Sequence, residues 1–100
     1  MNEFPEIVKR YRMNQQLSLR KFAAQLGEEL KNGVSHQTIK DWEDGEYAGH
    51  VYFFLAVAMR YKDWRRDFAF ECLSVIYPGF DQYAGDNGLE ILKEFYENGK

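Results

Sequence analysis

Apolar residues recur every three or four positions along most of this chain, the spacing that gathers them on one side of a helix. Ile7, Val8 and Tyr11, with Phe4 ahead of them, form a first stripe. Pro5 falls in its opening turn, where a missing N–H is not needed, and the polar run Asn14-Gln15-Gln16 closes it. Ser18 reads as the N-cap of a second helix, because its oxygen can accept from the exposed N–H groups of the next turn. Leu19, Phe22, Ala23, Leu26 and Leu30 then share one face, which predicts a helix running on through Lys31 with Asn32-Gly33 as its stop. A short third helix is expected behind Ser35, with Ile39 and Trp42 inward and Asp44-Gly45 at its end.

Val51, Phe54, Leu55, Ala58 and Met59 predict a fourth helix, and Trp64, Phe68, Cys72, Leu73 and Ile76 a fifth, capped by Asp63 and ended by Pro78-Gly79. Beyond a turn-rich stretch, Asn87 and Glu90 have capping-box spacing and open a last helix at about residues 87–98, with Leu89, Leu92, Phe95 and Tyr96 inward. No alternation suggests a strand, and no repeat, low-complexity tract or linker interrupts the chain. The expected architecture is all-α: a bundle of about five helices with an added C-terminal helix, in a single domain over residues 1–100.

Composition narrows the function classes. With 100 residues, 45% of them hydrophobic, the chain can build one helical core without staples. No apolar run nears the roughly 18 residues of a membrane span, and the N-terminus has no signal-peptide core, so a cytoplasmic protein with no membrane association is expected. Cys72 is the only cysteine, which rules out an intrachain disulfide. His36, His50 and Cys72 lack the spacings of a zinc site or a Cys-His pair, and no glycine-rich phosphate loop occurs. The carboxylate pairs Asp41 with Asp44 and Glu43 with Glu46 are common on helix surfaces. No catalytic residue, metal or cofactor is therefore assigned, and an enzyme is not expected.

The formal charge is −3, unevenly spread: residues 1–66 carry 11 basic and 9 acidic side chains, residues 67–100 carry 2 and 7. A nucleic-acid-facing surface is expected in the first two thirds.

The segments LSLRKFAAQLG (17–27) and VSHQTIKDWEDGEY (34–47) resemble the phage repressor and Cro helix-turn-helix family, also called XRE-like, over roughly residues 4–64. Each residue type has a physical reason: Ala23 is small where two helices approach closely, Gly27 can take a positive φ, and Ile39 and Trp42 bury the back of the third helix. The resemblance implies a lambda-repressor-like helix-turn-helix core at about 4–64, a C-terminal extension at about 65–100, and a recognition helix at about 35–44 lying in the major groove of double-stranded DNA.

On that basis His36, Gln37, Lys40 and Asp41 are the candidate base-contacting residues. Gln37 can bond adenine in two places, and His36 can donate to guanine or to a phosphate. Ser18, Ser35, Arg10, Arg20 and Lys21 are candidate backbone contacts, although Arg10, Arg20, Lys21 and the neighbouring Lys9 equally suit a solvated face. Arg12 matches an arginine that pairs in this family with the glutamate of the W-E dipeptide, here Glu43; a phosphate contact is the alternative. Two stretches depart from the family pattern. Residues 28–33 lengthen the segment between the two helices, and the loop after Gly45 has Glu46 and Tyr47 where basic residues are common, with none until Arg60.

The function implied is sequence-specific, DNA-binding transcription regulation of the repressor-like kind. One short recognition helix covers few base pairs, so a homodimer is expected. The C-terminal region is its expected interface, for Trp64, Phe68, Phe70, Leu73, Ile76, Tyr77, Phe80, Phe95 and Tyr96 offer more apolar surface than an appended helix pair can cover. The alternative is a protein-protein interaction module that keeps the helix-turn-helix fold without binding DNA. Its mark would be an exposed aromatic patch drawn from Tyr47, Tyr52, Phe53, Tyr61, Phe80 and Tyr83. A DNA binder would instead present Lys9, Arg10, Arg12, Arg20, Lys21 and Lys40 as a positive face beside the third helix.

Overall fold

The computed structural model describes residues 3–27, 34–46, 51–77, 79, 80 and 88. Among the described residues there are five helices and no strand, and the chain divides into two compact units, Met1–Gly49 and His50–Lys100. The expected continuation of the second helix through Lys31 lies outside the described residues, as does the helix expected at 87–98 apart from Gly88.

The first unit contains α1 (Phe4–Asn14), α2 (Leu19–Gly27) and α3 (His36–Glu43), with both α1 and α2 packed against α3. Their apolar stripes meet in a core of Phe4, Ile7, Val8, Phe22, Ala23, Leu26, Ile39 and Trp42, all buried. Phe4 and Trp42 meet edge to face, ring centres 5.6 Å apart, an arrangement that suits the opposed charges of ring face and ring edge. The ends of these helices are closed by named atoms. Ser18 Oγ accepts from the Lys21 N–H at 3.2 Å, and Ser35 Oγ accepts from the Thr38 N–H at 3.2 Å.

The C-terminal ends of α1 and α3 are closed alike. Leu17 N–H donates to the Arg12 carbonyl and Gln16 N–H to the Met13 carbonyl after α1; Glu46 N–H donates to the Asp41 carbonyl and Gly45 N–H to the Trp42 carbonyl after α3. This Schellman arrangement needs a left-handed residue just past the helix. Gly45 supplies it at φ +77°, while Gln16 adopts φ +55° with a side chain in place.

Replacing the α3 cap tests how far so short a helix depends on it. Ser35→Ala is expected to lower stability by about 1 kcal/mol, read as a lower urea midpoint with an unchanged slope. An unchanged midpoint would show that tertiary packing alone holds the first turn.

The second unit contains α4 (Val51–Arg60) packed on α5 (Trp64–Ile76). Asp63 caps α5 as expected, its Oδ1 accepting from the Arg65 N–H at 3.0 Å. Gly79 takes φ +85°, and the Phe80 N–H returns to the Tyr77 carbonyl at 3.1 Å, a tight turn that brings Phe80 against Phe70 with ring centres 5.7 Å apart. Phe54 packs edge-on to Phe68, beside buried Leu55, Ala58, Ala69, Cys72 and Leu73.

Two expectations about this region change. Phe53, Tyr61 and Phe80, named for the exposed aromatic patch that would mark an interaction module, are buried; among the described members only Tyr52 is exposed, and Tyr47 and Tyr83 lie outside the described residues. Of the residues expected to offer a dimer surface, Phe68, Leu73 and Phe80 are buried and Trp64, Phe70, Ile76 and Tyr77 are half-buried, with Phe95 and Tyr96 outside the described residues. A helix as apolar as α4 has no polar stripe to turn outward, so burial spreads around it. Among the described residues no helix is long and apolar enough to cross a membrane.

Candidate nucleic-acid interface

Helix α3 is anchored by its back and by its end. Ile39 and Trp42 are its buried residues, and Glu43, at its last position, is held by Arg12 of α1. Arg12 Nε lies 2.6 Å from Glu43 Oε2 and Arg12 Nη2 lies 3.0 Å from Oε1, the two-pronged geometry that a planar guanidinium and a carboxylate share. The remaining prong, Nη1, donates to the Leu17 carbonyl at 3.1 Å. One side chain thus joins the turn between α1 and α2 to the end of α3. The hydrogen bond to Glu43 raises the Arg12 pKa above its already high ordinary value, against some loss from burial. Turned inward in this way, Arg12 is not part of a solvent-facing basic surface.

The opposite side of α3 is polar. Gln37 and Lys40 are exposed and His36 and Asp41 half-buried. Gln37 Nε2 donates to Asp41 Oδ1 at 3.0 Å and Lys40 Nζ to Asp44 Oδ2 at 2.7 Å, each pair one helical turn apart. The Asp44 hydrogen bond, and then its charge, raise the Lys40 pKa, so Lys40 is a cation under all ordinary conditions. Exposed pairs of this spacing contribute little, because water competes for both partners. They orient the side chains without committing them, and a stronger acceptor or donor can take them over.

Arg20 and Lys21 are exposed in the first turn of α2, beside the Ser18 cap, and Lys9 and Arg10 are exposed on α1. Arg10 reaches over the Tyr11 ring, 5.4 Å from its centre. Ser18 and Ser35 spend an acceptor position on capping. A hydroxyl used in this way at Ser18 still has its proton to give, and the backbone N–H groups of a helix N-terminus favour an anion in the same place.

The compact units divide the positive charge of residues 1–66 between them. The compact units part between residues 49 and 50, and residues 1–49 hold 7 basic and 8 acidic side chains. The positive excess of residues 1–66 therefore belongs to Arg60, Lys62, Arg65 and Arg66, in the second unit. A helical stripe shows where apolar faces go but not where a chain divides, so a charge sum cut at residue 66 joined two bodies. Among the described residues, no group of His, Cys, Asp and Glu could hold a metal ion. Comparison with family models, with curated proteins and with solved structures finds no match.

Proposed function

We propose that the protein is a sequence-specific regulator that binds double-stranded DNA through a lambda-repressor-like helix-turn-helix, with α3 as its recognition helix. The observation that carries this reading is the division of α3 into two sides. Ile39, Trp42 and Glu43 are committed to the protein, while His36, Gln37, Lys40 and Asp41 lie on the side left to solvent. That is the division a helix needs in order to enter the major groove as a rigid body with polar side chains forward. Gln37 reads adenine, His36 and Lys40 contact guanine or phosphate, and Asp41 orients Gln37. Ser18, Arg20 and Lys21 hold a phosphate at the N-terminus of α2, and Ser35 and Arg10 contact the backbone.

A second copy of the chain belongs to this reading because a helix of eight residues spans too few base pairs for a specific site, so two half-sites about one helical turn apart are expected. The argument rests on half-site geometry, since among the described residues Phe68, Leu73 and Phe80 are buried within the second unit.

The test is selection from a random duplex pool at about 100 mM salt, near the physiological range. Enrichment of one motif is expected. Gln37→Ala should relax preference at one base position, costing roughly 1–3 kcal/mol there, while Lys21→Ala should weaken all sequences alike. No enrichment, or enrichment indifferent to replacing His36, Gln37 and Lys40 together, would overturn the reading in favour of an interaction module of the same fold.

A further inference from the structure

The polar side of α3 carries two donors, and each is held by a carboxylate one turn further on. Gln37 Nε2 gives one N–H to Asp41 Oδ1 at 3.0 Å, and Lys40 Nζ gives one to Asp44 Oδ2 at 2.7 Å. Among the described residues Asp44 is the one hydrogen-bonding partner of the Lys40 ammonium. Asp44 is the C-cap of α3, and its backbone is fixed on both sides. Its N–H donates to the Lys40 carbonyl at 2.9 Å, and the next residue, Gly45, takes the left-handed turn that closes the helix. The carboxylate therefore stays close to Lys40 even when the ion pair opens. Glu46, exposed two residues on, adds negative charge near the ammonium without bonding it.

The consequence depends on what approaches. The pair can open at little cost, but a phosphate then meets ammonium and carboxylate together, with no net charge to replace its counterions, and sequence-independent affinity rises with the number of phosphates neutralised. A guanine edge is different. Its O6 and N7 are neutral acceptors, and an ammonium that gives one N–H to Asp44 still has two to give. Gln37 is left in the same position: after Asp41 it keeps one N–H and its carbonyl, the pair that adenine N7 and N6 require. We infer that Asp44 is a specificity-determining residue, which holds Lys40 as a reader of guanine and withholds its charge from the phosphate backbone. That role rests on the DNA-binding reading, and it decides between the two partners, guanine and phosphate, that the reading leaves to Lys40. Every residue involved belongs to α3 or its C-terminal turn, so one helix in one groove suffices.

The experiment compares the full chain with Asp44→Asn, which keeps the size of the side chain and removes its charge, on random duplex over a salt range that spans the physiological value and in selection from a pool. The slope of log K against log salt is expected to steepen by about 0.9, the contribution of one further neutralised phosphate, and affinity for random duplex at about 100 mM salt to rise about five- to tenfold. Affinity for the selected motif should rise less, with the preference for guanine at one position weakened, so that the gap between motif and random duplex narrows. Adding Lys40→Ala should cancel the gain in slope. Glu46→Gln, which removes one charge but no bond to Lys40, should change the slope little, and the urea midpoint of Asp44→Asn should stay near that of the unaltered chain. If Asp44→Asn fails to fold, Asp44→Ala serves with the same expectation. An unchanged slope, a gain that survives Lys40→Ala or that Glu46→Gln matches, or the same guanine preference in both chains would overturn the role of Asp44. Selection of one motif by the unaltered chain would in each of those cases leave the DNA-binding reading intact, whereas no enrichment by the unaltered chain would overturn both.

Discussion

Glu43→Ala is expected to destabilise the protein by about 2–3 kcal/mol, several times what removal of a surface ion pair does. The difference comes from burial. The Arg12 and Glu43 side chains keep 21% and 8% of their exposure, whereas Lys40 and Asp44 keep 55% and 47%. When Glu43 is cut back, the Arg12 guanidinium keeps its bond to the Leu17 carbonyl but loses both bonds to the carboxylate in a place where water reaches it poorly. Arg12→Ala strands the more deeply buried carboxylate and should cost at least as much. Because each single change leaves the other charge uncompensated, the double variant should be less unstable than the sum of the two, with a coupling of about 1–3 kcal/mol. Arg12→Lys should recover only part of the loss, for an ammonium cannot match two carboxylate oxygens and a carbonyl with one planar fork. Asp44→Ala, measured alongside by urea unfolding, should shift the midpoint little. A coupling below about 0.5 kcal/mol would place Arg12 and Glu43 with ordinary surface pairs and remove their role in orienting α3.

That pair illustrates what the sequence carries. Nothing in residue spacing brings Arg12 to Glu43, 31 positions away; the resemblance of the W-E motif to the helix-turn-helix family pointed to it. Helix starts and the core of the first unit, by contrast, were legible from local chemistry. Ser18, Ser35 and Asp63 sit where a short polar side chain can accept from the next turn, and Phe22, Ala23, Leu26, Ile39 and Trp42 have an amphipathic period that leaves one inward direction. The turn after α1 was less legible. Glycine usually takes the left-handed position, as Gly45 does, but at Gln16 the bonding of Leu17 and Gln16 to the last turn of α1 overrides the preference of a residue with a Cβ. The aromatic residues of the second unit misled for another reason. In VYFFLAVAMR the period has no polar phase to orient it, so nothing local distinguishes Tyr52, exposed, from Phe53, buried.

Trp42→Ala should have the largest effect of any single change at the candidate interface, about 3–5 kcal/mol. Trp42 is 1% exposed, and α3 has only one other buried residue, Ile39, with which to hold its back against α1 and α2. The indole also meets the Phe4 ring edge to face, so its loss removes an aromatic contact together with the apolar area, and a helix of this length cannot make up the difference from its own backbone. Trp42→Phe keeps part of the area and should cost distinctly less. The consequence for DNA separates folding from recognition. Trp42→Ala should abolish motif selection together with hydrogen-exchange protection of the α3 amides, because the helix is no longer held. The combined replacement of His36, Gln37 and Lys40 should abolish selection while protection and urea midpoint stay near those of the unaltered chain, because those side chains lie on the polar side and contribute only weak surface pairs. If Trp42→Ala left α3 protection intact, or the triple replacement unfolded the unit, the division of α3 into a structural back and a recognition front would be wrong, and the DNA-binding reading would lose the observation that carries it.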